Sequence, residues 1–139
     1  MRLLILIVLL ILLGRPTVLR AEQAQPNPDA DRWNKRYNTD DYVYGEEPLE
    51  FLVEQIEQFR KGRALCLAAG EGRNAVYIAQ QGFEVVAVDI SAKGLEKCRE
   101  LARKRGVEVQ TVAADLETYD LGREQYDLIS MFYYYQPDL

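Results

Sequence analysis

The 139-residue chain contains no histidine. It therefore lacks both the side chain that most often carries protons at neutral pH and the commonest nitrogen ligand for a transition metal. Cysteine is nearly as scarce. The two thiols, Cys66 and Cys98, make no disulfide framework, and both fall in predicted core segments where a thiol acts as a small apolar side chain. Neither a metal site nor a cysteine nucleophile is expected. Excess positive charge is missing as well: 22 acids against 17 Lys and Arg leave a net charge of −5. Nucleic-acid binding relies on clustered cations against phosphate, so no nucleic-acid partner is expected. The basic residues Lys93, Lys97, Arg99, Arg103, Lys104 and Arg105 are interleaved with Glu96 and Glu100 and read as a solvated helix face.

Long apolar runs are missing with one exception. Arg2 precedes eleven uninterrupted apolar residues, 3–13, closed by Gly14, Arg15 and Pro16. They make about 16 Å of helix against a hydrocarbon core of about 30 Å, which favours a signal-peptide core over a membrane span. The sequence Leu19-Arg20-Ala21 is a poor cleavage site. Residues 1–21 thus read as a signal peptide or an uncleaved anchor, tethering the chain to a membrane through residues 3–13; a misassigned start codon is the other reading. The protein is exported or membrane-anchored in the first case and cytoplasmic in the second. Residues 22–31, with Pro26, Asn27 and Pro28, read as a linker without helix or strand character. Residues 32–139 form one domain of ordinary globular composition.

What organises that domain is the stretch 63–91. Residues 64–69 are small and apolar without alternation, as in a strand covered on both faces of a parallel sheet. Gly70 and Gly72 follow where the chain must turn tightly and bring its backbone close to a ligand or a helix. A helix runs from Asn74 until Gly82 stops it, and the second strand, 84–88, ends in Asp89. Ser91 caps a second helix that ends at Gly106, a third strand spans 107–113 and ends near Asp115, and a fourth spans 125–131. Upstream, Leu49, Leu52, Val53, Ile56 and Phe59 repeat at helical spacing behind Pro48.

In an open parallel sheet the ligand crevice lies beyond the carboxyl ends of the strands, where a carboxylate such as Asp89 accepts both hydroxyls of a ribose. The glycines also fit a dinucleotide fingerprint, Gly70-x-Gly72-x-x-Ala75, so an NAD-type oxidoreductase is the rival reading. Glu71, however, would set a like charge beside a pyrophosphate. S-adenosylmethionine has no phosphate and carries a sulfonium and an ammonium, so an acidic turn suits it better.

The segments Ala69-Gly70-Glu71-Gly72-Arg73-Asn74-Ala75 and Val86-Ala87-Val88-Asp89-Ile90-Ser91 resemble the class I S-adenosylmethionine-dependent methyltransferases, in particular their small-molecule, tellurite-resistance-type branch. The resemblance runs from Trp33 to the end. It departs in the first strand, where Cys66 and Ala68 stand in place of the family's acid and glycine; the acid helps hold the methionine end of the cofactor. The resemblance implies an α/β Rossmann-like fold with strand order 3-2-1-4. It also implies cofactor contacts from Ala69, Gly70, Gly72, Arg73, Asn74, Asp89, Ile90, Asp115 and Leu116. Asp115 reads either as an ordinary turn residue or as the acceptor of the adenine amino group, the role the resemblance favours. A Trp-x-x-x-Tyr and Tyr-Gly-x-x-Pro segment folds over the cofactor in this family, which makes Tyr44 a lid candidate beside the plain alternative of aromatic packing.

In that strand order Phe132, Tyr133 and Tyr134 border the place where the methyl leaves, as substrate-side candidates whose faces suit a sulfonium or as simple packing residues. No catalytic residue is assigned. Without a histidine base the expected acceptor is a small molecule that is already nucleophilic, such as a thiol or a metalloid oxyanion. Four strands are fewer than the seven of the family, so the chain reads as a fragment with the C-terminal strands missing, and a non-catalytic remnant that at most binds the cofactor stays open. Free core thiols and a cytosolic cofactor sit against export, so leader and domain point to different compartments.

Overall fold

A computed structural model describes residues 27–134. The leader read at residues 1–21 and most of the linker read at 22–31 lie outside the described residues. Four parallel strands form a single sheet: β1 (Arg63–Leu67), β2 (Glu84–Asp89), β3 (Gln110–Ala113) and β4 (Leu128–Met131), in the order β3-β2-β1-β4. This is the expected order. Helix α3 (Arg73–Gln80) connects β1 to β2 and α4 (Ala92–Lys104) connects β2 to β3; α1 (Pro28–Tyr37) and α2 (Glu50–Gln55) precede the sheet. No helix among the described residues is long and apolar enough to cross a membrane.

Successive strand residues point to opposite faces, and the two faces are covered differently. Ala64, Cys66, Val85, Ala87 and Leu128 bury against the apolar stripes of α3 and α4 and against Leu52 and Ile56. Leu65, Val86 and Val88 face the other way, under Leu116, Tyr119 and Tyr126 from the segment that follows β3. That cover stops short of β4, whose Ile129 and Met131 pair in register with Leu65 and Leu67 and are each about half exposed.

Several boundaries differ from the sequence reading. Residues 28–31, read as linker, are the first turn of α1. Asn27 caps it, its side chain accepting from the Asp29 and Ala30 amides; Pro28 occupies the first turn, and Asp29 and Asp31 meet the positive end of the helix dipole. Helix α2 is short and runs into one 3-10 turn, Ile56–Gln58. Strand β3 begins at Gln110 because Val107 and Val109 pack onto the helix-side core instead of extending the ladder. Strand β4 begins at Leu128, after Asp127 has turned its carboxylate to the Arg63 amide and the Arg60 guanidinium. On α4, Lys97 departs from the solvated face assigned to it and is only 5% exposed.

Candidate functional site

Beyond β1 the chain folds through three left-handed residues, Ala68 (φ 51), Gly70 (φ 54) and Gly72 (φ 88). Ala68 stands where the resembled family has glycine, and an L side chain in that region costs of order 1 kcal/mol. The turn meets the first acid directly. The Gly70 amide donates to Asp89 Oδ2 at 2.8 Å and the Ser91 amide to Oδ1 at 2.8 Å. Burial, with Asp89 only 7% exposed, raises its carboxyl above the ordinary value, and the two amides offset this in part. Each carboxylate oxygen keeps a further lone pair for a ligand hydroxyl.

Helix α1 lies across the strand tips. Its Asn27 Nδ2 donates to Asp115 Oδ2 at 2.9 Å, while Oδ1 of Asp115 accepts the Glu117 amide at 3.0 Å. Asn34 Oδ1 accepts from the Ser91 hydroxyl at 2.8 Å and the Lys93 amide at 3.0 Å, fixing α1 to the start of α4. Tyr37 is buried at the far end: a Cβ on Gly70 would stand 2.8 Å from its hydroxyl, and one on Gly94 would stand 2.9 Å from its ring. Burial and the charge of Asp89 raise the Tyr37 phenol and keep it neutral. Gly72 answers a different demand. A Cβ there would strike the Sγ, Cβ and Cα of Cys98, so this glycine admits helix α4 to the turn rather than a ligand.

The remaining expected residues fall into separate groups. Arg73 donates to the Tyr44 carbonyl at 2.8 Å, and the Tyr44 ring meets Tyr37 edge-on at 6.3 Å and lies under the Arg36 guanidinium at 5.6 Å. Tyr37 in turn stacks on Trp33. Asn74 Oδ1 accepts the Leu49 amide and so starts α2. Ala69 donates its amide to Val88 O, Ile90 is half-buried and Leu116 packs on the second sheet face. Phe132 packs on the helix-side core. Tyr133 is 83% exposed with φ 58. Tyr134 is raised by partial burial and by the charges of Glu117, Asp115 and Asp29, which places it on the Asp115 side of the rim.

Glu71 corrects the sequence argument. It does not face a ligand with a free charge: at 4% exposure it pairs with Lys97 Nζ at 2.7 Å and accepts the Val43 and Tyr44 amides at 3.1 and 3.3 Å. A neutralised acid discriminates little between a phosphate and a sulfonium, so the case against a dinucleotide does not rest on it. Sequence reasoning missed Asn27, Asn34, Tyr37 and Lys97. For Lys97 the signal was present, three residues after Gly94 and four before Leu101 on the buried stripe of α4.

A family model described as a methyltransferase domain matches residues 64–138. Among curated proteins, the glycine/sarcosine N-methyltransferase of Halorhodospira halochloris is 33% identical over 85 residues, 61% of this chain and 31% of its own length. TehB of Haemophilus influenzae, a probable S-adenosyl-L-methionine-dependent methyltransferase, is 25% identical over 99 residues, 71% of this chain and 32% of its own length. The chain therefore spans about a third of the length of these two relatives. The crystal structure of H. influenzae TehB superposes with a TM-score of 0.55 at 24% identity, over 73% of this chain and 33% of that one. A Thiobacillus denitrificans S-adenosylmethionine-dependent methyltransferase, solved with S-adenosyl-L-homocysteine, gives a TM-score of 0.55 at 20% identity, over 76% and 43% of the two chains. At these identities the two structures establish the shared fold.

Proposed function

Because this chain belongs to the methyltransferase domain family, we propose that it binds S-adenosylmethionine at the carboxyl rim of its sheet and serves methyl transfer to a small nucleophilic acceptor. The observation that carries the reading is the direct contact between the glycine turn after β1 and the acid at the tip of β2, Gly70 N to Asp89 Oδ2, beside the β1–β4 switch point where open α/β sheets take their ligands. The residues fit the cofactor's chemistry. Asp89 and Asp115 stand at neighbouring strand tips as acceptors for ribose hydroxyls and an adenine amino group, and Trp33, Tyr37 and Tyr44 flank them as an aromatic cluster.

When bound, the cofactor supplies a methyl group already activated by a sulfonium. The chain's part is then to bind, orient and exclude water. Asp89, desolvated and held by two amides, is a fixed acceptor that need not reorganise when a ligand arrives. Helix α1 covers the strand tips against water. An acceptor that is already nucleophilic, as a thiolate, an amine or a metalloid oxyanion, asks for no base from these residues.

Calorimetric titration of the full chain with S-adenosylhomocysteine and, separately, with NAD tests the reading. Binding of the first and not the second is expected, with loss of binding in Asp89→Ala and weaker binding in the half-exposed Asp115→Asn. Binding of NAD alone, or of neither, refutes it.

A further inference from the structure

The Glu71–Lys97 pair is the most completely buried charge pair among the described residues, and its hydrogen bonds point in an unexpected direction. Lys97 Nζ reaches three acceptors: Glu71 Oε1 at 2.7 Å, the Asp41 carbonyl at 2.6 Å and the Thr39 hydroxyl at 3.3 Å. Glu71 accepts, besides Lys97, the amides of Val43 and Tyr44. Apart from the bond that joins the two, every one of these contacts goes to loop 39–44. Tyr42 completes the clasp, its hydroxyl donating to the Lys97 carbonyl at 3.1 Å and its ring lying 5.1 Å from Lys97 Nζ.

A buried ion pair is poor support for stability as such, since desolvation cancels most of its attraction and apolar residues of similar volume often do as well. What two apolar residues cannot do is accept two loop amides and donate to a loop carbonyl. Glu71 is also the residue between Gly70 and Gly72, so one side chain ties the loop to the turn that binds Asp89. We infer that Glu71 and Lys97 are positioning residues of the cofactor site: they clamp loop 39–44 to the glycine turn and thereby hold Tyr44 against Tyr37 at its rim. This rests on the reading of the rim as the S-adenosylmethionine site, and it assigns to the acid in the turn a task that does not involve touching the ligand.

The test compares Lys97→Met, Glu71→Gln and the double variant Glu71→Met/Lys97→Met in the full chain by melting temperature, S-adenosylhomocysteine titration and the rate of chymotryptic cleavage after Tyr42 and Tyr44. The single variants leave a buried charge or amide unpaired and are expected to lose stability and affinity together. The double variant is expected to regain the wild-type melting temperature while its affinity stays about tenfold weaker, because the loop must be ordered at the moment of binding, and the loop is expected to be cut faster. A double variant that binds as tightly as wild type overturns the inference. Should the double variant fail to refold, Tyr44→Ala decides, since that exposed side chain is removable without unfolding: about tenfold weaker binding is expected, and unchanged affinity overturns the clamp. If wild type binds no S-adenosylhomocysteine, the functional reading fails, while unchanged cleavage in the pair variants separately refutes the clamp.

Discussion

Asn27 holds the first turn of α1 with its side-chain oxygen and Asp115 with its side-chain nitrogen, and a single substitution separates the two. Serine is as good an N-cap as asparagine, so Asn27→Ser keeps an acceptor for the Asp29 and Ala30 amides and removes the donor to Asp115 Oδ2. An amide hydrogen bond to a carboxylate is worth about 1.5–3 kcal/mol when sheltered; Asp115 is half-exposed, which reduces it to about 1 kcal/mol. If the adenine amino group takes the same oxygen, the ligand must displace Asn27, and the substitution returns that energy to binding. Titration at fixed ionic strength is then expected to show S-adenosylhomocysteine bound about fivefold more tightly by Asn27→Ser than by wild type. Asn27→Asp, which sets a carboxylate against Asp115, is expected to bind at least as tightly, and in an Asp115→Ala background Asn27→Ser is expected to change nothing. Equal or weaker binding by Asn27→Ser refutes the competition.

Two further outcomes concern the turn itself. Gly72→Ala combines a left-handed backbone, φ 88, with collision against Cys98, so a loss of about 3 kcal/mol in urea denaturation is expected; Gly82→Ala, at φ 91 with open space around it, is expected to lose only about 1 kcal/mol. Equal losses would show that helix α4 does not press on the turn. Asp89 gives a pH dependence of definite sign. Its carboxyl is raised above 3.8 in the folded state, so its contribution to stability is full below the unfolded value and is lost as pH rises through the folded one. Wild type is therefore expected to gain stability relative to Asp89→Asn as the pH is lowered from about 7 towards about 4, read from urea midpoints; a constant difference refutes the desolvated carboxylate.

The β-α-β frame was legible because its signals are local. Apolar runs without alternation mark strands covered on both faces, Gly70 and Gly72 mark the corner, and Asp89 closes the second strand; the structure places these as read, except that the first strand, read to 69, ends at Leu67 where Ala68 turns left-handed. What escaped has a physical reason. Asn27 and Pro28 are as favourable in a turn as at the start of a helix, and only the partners of the Asn27 side chain, the Asp29 and Ala30 amides and Asp115, show which use is made of them. Glu71 was weighed as a free charge because Lys97, a helix and a strand further along the chain, was assigned to solvent. Lys97 sits on the buried stripe of α4, a signal the charge pattern masked, and only the fold reveals that it and Glu71 are each other's partner. The resemblance to methyltransferases survived that error because it rested on the order of turn, acid and strand, not on the charge of the turn.

The rim is already satisfied by its own chain. Asp89 is occupied by Gly70 and Ser91, Asp115 by Asn27 and Glu117, and the Ser91 hydroxyl and Lys93 amide by Asn34. Asp89 still has a lone pair on each oxygen for a ligand hydroxyl, whereas at Asp115 a ligand exchanges a contact with Asn27 instead of filling an open one, which lowers its affinity by the fraction of molecules in which that exchange has already begun. Two of the three sets come from α1, a helix whose only fully buried residue is Tyr37 and none of whose side chains belongs to the cores on either side of the sheet. Segments with few buried apolar contacts are the ones that open first. Loop 39–44 differs, being bolted through Glu71 and Lys97 to the turn itself. The cover over the strand tips thus joins a helix with a single fully buried residue to a loop bolted to the turn, and Tyr37, at the junction of the two, stands over Gly70.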